Sequence, residues 1–71
     1  MTIQHVDSTP TNHPGVSRFL ITASDGSQYL TLDTRLGLQC HVFKHQQVEV
    51  FPTWIETPWG KELRAIRRSA E

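Results

Sequence analysis

The chain has 71 residues, with seven basic side chains balanced by seven acidic ones and a single cysteine. A chain of this length forms at most one domain, and its small core makes stabilisation by self-association a reasonable expectation. The balanced charge argues against dependence on bulk attraction to a polyanion, and the lone cysteine excludes an internal disulfide.

The charged side chains are unevenly distributed. Residues 1–33 carry three acidic and one basic side chain, whereas residues 34–71 carry four acidic and six basic ones, so the two halves differ by four formal charges. This pattern predicts a basic patch near the C-terminus, with scattered solvated charge as the alternative.

Residues 1–15 mix Ser, Thr, Asn, Pro and Gly, and they predict a flexible N-terminal segment with a short strand at Ile3–Val6. Residues 16–71 are predicted to form the single domain. Met1 to Pro14 lacks the apolar run of a signal peptide. No segment approaches the roughly 20 apolar residues of a membrane span. We therefore expect a soluble, cytoplasmic protein.

A β-hairpin is predicted over residues 16–33. Val16–Ala23 is rich in β-branched and aromatic residues, and Gln28–Asp33 alternates apolar and polar side chains. Asp25-Gly26 lies between them, and glycine favours a hairpin turn because it accepts a positive φ. Alternation places Phe19, Ile21, Ala23, Leu30 and Leu32 in the core, and Arg18, Thr22, Tyr29 and Thr31 outside it.

Leu38–His45 also alternates and predicts a third strand after a turn at residues 34–37. Its inward side chains would be Leu38, Cys40 and Val42, and its outward ones Gln39, His41, Phe43 and His45. Lys44 would point inward unless its stem reaches solvent from the end of the strand.

Val48–Ile55 predicts a fourth strand, which lies at an edge or is bulged because Pro52 cannot donate to a ladder. Residues 57–68 allow two interpretations. They fit a final strand after a turn containing Pro and Gly, or a short helix with Thr57 as its N-cap. We favour the strand, because Gly60 disfavours a helix by about 1 kcal/mol.

Five short strands predict an all-β domain, a small five-stranded antiparallel barrel or curled sheet of the OB-like or SH3-like kind. Catalysis is not expected. Cys40 points away from His41 and His45, so neither a Cys/His nucleophile nor a shared metal ion is predicted, and no cofactor is implied.

The most suitable ligand is single-stranded nucleic acid, which stacks on aromatic faces beside basic side chains. The predicted binding residues are Tyr29, Phe43, Phe51, Arg18, Lys44, Arg64, Arg67 and Arg68. The alternative is that these aromatic rings are buried in the hydrophobic core and have only a structural role, as we expect of Phe19, Trp54 and Trp59. The alternative function is that of a protein-binding adaptor or inhibitor encoded by a phage or mobile element, which would use the same aromatic and arginine side chains as hot spots. This alternative also explains the zero net charge.

A further set of short segments is spread over most of the chain: Met1-Thr2-Ile3-Gln4, Leu38-Gln39-Cys40 followed by Phe43, Gln47-Val48, Gly60, Glu62-Leu63 and Ala65-Ile66-Arg67-Arg68. In these segments the chain resembles the single-stranded-DNA-binding proteins of filamentous bacteriophages. The resemblance implies an OB-like β-barrel, a dimer and DNA binding, without carrying over any individual DNA contact. Those proteins are usually longer and have a long β-hairpin wing, for which this chain has little sequence to spare.

Overall fold

The computed structural model describes residues 1–69, which form five strands and one helix. In chain order these are β1 (Ile3–Pro10), β2 (Ser17–Ala23), β3 (Gln28–Thr31), α1 (Thr34–Gln46), β4 (Val50–Thr57) and β5 (Gly60–Arg68). The strands make one sheet in the order β1-β2-β3-β5-β4. The predicted curled sheet of five strands is therefore confirmed, although one helix and one parallel pair of strands depart from the all-β antiparallel fold that the sequence predicted. The last two residues of the predicted domain lie outside the described residues.

The sheet curls until its two edges approach one another at one end. There the Val50 N–H donates to the Met1 carbonyl at 2.8 Å, and the Met1 nitrogen donates to the Val50 carbonyl at 3.1 Å. The register shifts between Ile3 and His5 in β1 and between Thr53 and Trp54 in β4, and such bulges increase twist. The sheet stays open, and its one parallel pair, β3 with β5, follows a helical crossover. Of the predicted alternatives, the structure therefore has the curled sheet and not a closed barrel.

The N-terminal segment takes part in the sheet along more of its length than the sequence predicts. β1 extends to Pro10 and pairs with the whole of β2, from Ile3 opposite Ala23 to Pro10 opposite Ser17. Ile3 and Val6 are buried although they are three residues apart, because the bulge at Gln4 shifts the alternation. The prediction that the only strand of the N-terminal segment is Ile3–Val6 is therefore wrong, because the strand continues to Pro10.

The predicted hairpin of β2 and β3 is confirmed, but the faces assigned to β3 are wrong. Ile21 pairs with Tyr29 and Phe19 with Thr31, and directly opposed residues share a face of the sheet. Tyr29 and Thr31 are consequently buried, while Leu32 is exposed. A shift of one residue in register exchanges the two faces, and alternation within one strand does not determine that register.

The predicted strand at Leu38–His45 is wrong, since these residues lie in α1. Asp33 caps the helix by accepting hydrogen bonds from the Arg35 N–H at 2.8 Å and the Leu36 N–H at 3.4 Å. The helix ends at Gln46, and the capping residue Gln47 has a left-handed backbone (φ 55°), with its N–H donating to the Phe43 and Lys44 carbonyls.

The helix packs on the sheet through side chains spaced three residues apart. Gly37, Cys40 and Phe43 are its buried residues, and this spacing lies on one helical face. Gly37 meets the Phe19 ring so closely that a Cβ there would lie 2.5 Å from the nearest ring atom. Because the helix covers the interior side of the sheet, the other side of β2 and β3 stays uncovered.

The C-terminal hairpin is confirmed, with β4 and β5 joined by a turn at Pro58 and Trp59. β4 lies at the edge of the sheet, as Pro52 predicts. Arg64 is the extra residue of the bulge, so Leu63 and Ile66 both face the interior and are buried. Their spacing of three residues is typical of a helix, but here it occurs in a strand. Within residues 1–69, no helix has the length and apolar character needed to cross a membrane.

Candidate nucleic-acid interface

A cleft of about 360 Å³ lies on the exterior side of β3. Its walls come from β2, β3, the β4–β5 turn and the start of β5. The lining residues are Arg18, Leu30, Thr31, Leu32, Trp59 and Glu62. Leu30 pairs with Leu20 of β2 and with Glu62 of β5, so these three side chains share the face of the sheet that the helix does not cover.

A second depression of about 380 Å³ continues from the first, since Arg18 and Leu32 line both. Its other wall is the β1–β2 loop, with Asn12 and His13 at its tip. The loop is stabilised by its own hydrogen bonds, in which the Thr11 hydroxyl donates to the Val16 carbonyl at 2.9 Å. Together the two depressions make a continuous surface between the β1–β2 loop and the β4–β5 turn.

Trp59 is the most exposed large hydrophobic side chain among the described residues, with 71% of its surface accessible. It occupies the tip of the tight turn that Thr57 and Gly60 close, and Gly60 supplies the positive φ (126°) that follows the turn. Because β5 pairs with β3 at its beginning, this turn lies beside Leu30. The topology thus brings a solvent-exposed indole to the edge of the cleft.

The cleft carries charges of both signs. Arg18 is exposed on β2 and lines the cleft, where its guanidinium supplies a positive charge. Glu62 lies 3.6 Å from the Arg64 guanidinium, and its side chain is one-third exposed. A single exposed pair of this length contributes little to stability, so both groups remain available to a ligand.

Two of the three predicted stacking rings do not reach the surface. Tyr29 and Phe43 are only 5% and 7% exposed, so the prediction that they form a binding face is wrong. Tyr29 faces the interior because of the hairpin register, and Phe43 does so because its segment is a helix. Lys44, on the same helix, is half-buried in the last turn and is not one of the residues that line the cleft.

Phe51 is exposed as predicted, and it lies on β4 opposite Arg67, whose guanidinium carbon is 5.3 Å from the ring centroid. This pair forms a cation–π contact on the exterior side of the β4–β5 hairpin. Arg64 is also exposed, at the bulge.

Arg68 differs from these exposed residues, because it is half-buried opposite Val50 and its buried Nε has no hydrogen-bond partner among the residues described. Arg18 is the predicted binding residue that lines the cleft.

The prediction that Trp54 and Trp59 are core residues is wrong, because both are exposed. Trp54 is partly exposed; its ring centroid is 6.3 Å from that of Tyr29, and the Lys61 ammonium lies 4.7 Å from the indole. Phe19, by contrast, is buried as predicted. Trp59 was missed as a binding residue, although a Pro-Trp pair between two paired strands was a signal that the indole lies at a hairpin tip.

Cys40 is fully buried against the sheet, and burial raises the pKa of its thiol to about 11. A protonated, inaccessible thiol is a poor nucleophile and a poor metal ligand. Its burial agrees with the sequence analysis, although the element that buries it is a helix. Across residues 1–69, no three histidine, cysteine or acidic side chains come together in a way that could hold a metal ion.

Comparisons of the chain with protein-family models, with curated proteins and with solved structures give no match.

Proposed function

We propose that the protein binds single-stranded nucleic acid across the exterior of β2 and β3, between the β1–β2 loop and the β4–β5 turn. The observation that carries the proposal is the exposed Trp59 indole beside Arg18 in one cleft. An aromatic platform next to a cation is the combination that unpaired nucleotides require, because bases stack and phosphates seek positive charge. OB-like barrels bind oligonucleotides on this surface.

The leucines of the cleft support the same proposal. Leu30 and Leu32 offer an apolar floor beneath the indole, where a base could be partly removed from water. The resemblance to filamentous-phage single-stranded-DNA-binding proteins points to the same ligand, and it remains a prediction. One stacked base contributes about 1–3 kcal/mol, so a single ring with one or two phosphate contacts implies modest affinity.

Binding should be measured as the anisotropy of a labelled mixed-sequence DNA 12-mer at two salt concentrations. Wild-type protein is expected to bind, more weakly at high salt because each neutralised phosphate releases a counterion. Trp59→Ala should weaken binding roughly 5- to 150-fold through the lost stacking contact. Folding should be unaffected, since the ring is largely in solvent.

Trp54→Phe is the matched control, because it removes the other tryptophan without touching the cleft-lining residues. This variant should bind the 12-mer as the wild type does. Equal losses in both variants, or binding that is indifferent to salt and to Trp59, would contradict the proposal.

A second candidate function is a protein-binding adaptor that uses the β4–β5 exterior. Phe51 and Ile55 are both about half exposed on the edge strand, at 48% and 47%. Apolar side chains on an edge favour a protein partner, and a second copy of the chain is one such partner. Sedimentation of the wild type and of Ile55→Asp tests this function: a complex that the aspartate abolishes would support it, and monomers in both would oppose self-association.

A further inference from the structure

We infer that Glu62 reads the base held in the cleft and selects bases that carry an amino group over thymine and uracil. This inference rests on the proposed function and specifies the ligand of the same site. It starts from an unusual feature of that site, which is an acidic side chain in a cleft proposed to take a polyanion.

The position of Glu62 is determined by strand pairing. Leu30 of β3 lies directly opposite Glu62 of β5, so the carboxylate borders the apolar floor on which a stacked base would lie. Trp59 stands three residues earlier, at the tip of the turn that begins β5. The indole and the carboxylate therefore belong to one short stretch of chain that lines one cleft.

The carboxylate keeps hydrogen-bonding capacity for a ligand. Its contact with Arg64 is 3.6 Å long, beyond ordinary hydrogen-bond distance, and its side chain is one-third exposed. An ionised carboxylate only accepts hydrogen bonds, and it repels phosphates. Its favourable partners on a nucleotide are therefore the N–H groups of the base, while Arg18 meets the phosphate.

The four bases differ in what they offer to such an acceptor. Cytosine and adenine each present an amino group, and guanine presents an amino group beside a ring N–H. Thymine and uracil present one ring N–H between two carbonyl oxygens, which repel a carboxylate. Glu62 should therefore discriminate most simply between cytosine and thymine, two pyrimidines of similar size.

The test compares oligo-dC and oligo-dT 12-mers, with the mixed-sequence 12-mer as a reference. Wild-type protein is expected to bind oligo-dC about five- to tenfold more tightly than oligo-dT, which is the lower end of the discrimination that a good base contact gives. In Glu62→Gln the preference should fall below about twofold, because an amide both donates and accepts hydrogen bonds.

Asp7→Asn is the matched control, since it removes the same charge from an exposed side chain of β1 outside the cleft lining. It should shift both affinities by one factor and preserve the ratio. Equal binding of oligo-dC and oligo-dT by the wild type, or a Glu62→Gln effect identical to that of Asp7→Asn, would overturn the inference while the mixed 12-mer still binds. Failure of all three oligonucleotides to bind would overturn the proposed function as well.

Discussion

Replacing Gly37 by alanine tests the contact that orients α1 on the sheet. A Cβ at this position would lie 2.5 Å from Cγ and 2.6 Å from both Cδ atoms of Phe19, where ordinary contacts are 3.4–4 Å. The ring is itself buried, so it cannot move into solvent to relieve the overlap. The helix or the ring must therefore shift by nearly an ångström in a packed interior.

Two opposing effects determine the size of the change. In an exposed helix, Gly→Ala would raise the free energy of unfolding by about 1 kcal/mol through helix propensity. Overpacking a well-filled core costs typically about 1–3 kcal/mol, and three simultaneous short contacts suggest the upper end. We expect a net loss of about 2 kcal/mol, which would lower the melting temperature of so small a domain by roughly 8–16 °C.

Urea denaturation followed by circular dichroism measures this change. The double variant Phe19→Leu with Gly37→Ala should be less destabilised than the sum of its single variants, because the smaller side chain makes room for the methyl group. If Gly37→Ala alone raised the free energy of unfolding by about 1 kcal/mol, the close approach of α1 to Phe19 would be refuted.

Three further outcomes follow from the described contacts. Asp33→Ala should lower the free energy of unfolding by about 1 kcal/mol in urea denaturation, because it removes the N-cap acceptor; an unchanged midpoint would contradict that role. Cys40 should react with a thiol reagent at pH 8 only after denaturation, because burial raises its pKa from 9.0 to about 11. Rapid labelling of the native protein would contradict the burial of the thiol. Because the folded state favours the protonated thiol, burial of Cys40 makes a contribution to the free energy of unfolding that is present below pH 9 and is lost as the pH rises towards about 11. Phe43→Leu should cost about 1–2 kcal/mol of stability while leaving the affinity for the DNA 12-mer unchanged, and a weaker affinity in the folded variant would restore Phe43 as a binding residue.

The strands that could be predicted are those whose signals are local. β2 and β3 are separated by an Asp-Gly turn, in which the Asp25 carboxylate accepts the Ser27 N–H at 3.0 Å; that hydrogen bond lowers the pKa of Asp25. Pro52 marked β4 as an edge strand. These features depend on a few neighbouring residues, so they can be predicted without knowledge of the rest of the chain.

The helix was misread because its apolar pattern fits two periods. Leu38, Cys40 and Val42 alternate as in a strand, yet Gly37, Cys40 and Phe43 share a helical face. An N-cap signal was present in Asp33, whereas Gln47 takes the left-handed cap conformation although Gly or Asn is usual there. What the pattern could not show is that Phe19 offers a flat ring that only a glycine can approach closely.

The amino-acid sequence by itself determined that this protein is small, rich in strands and punctuated by tight turns, because turn and strand preferences act over a few residues. Only the tertiary structure decided which rings are available to a ligand. Strand register turned Tyr29 inward, a helix enclosed Phe43, and the pairing of β5 with β3 brought Trp59 to the cleft with Arg18. Each of those outcomes depends on contacts between residues distant in the chain, and the periodicity of a single segment carries no information about such contacts.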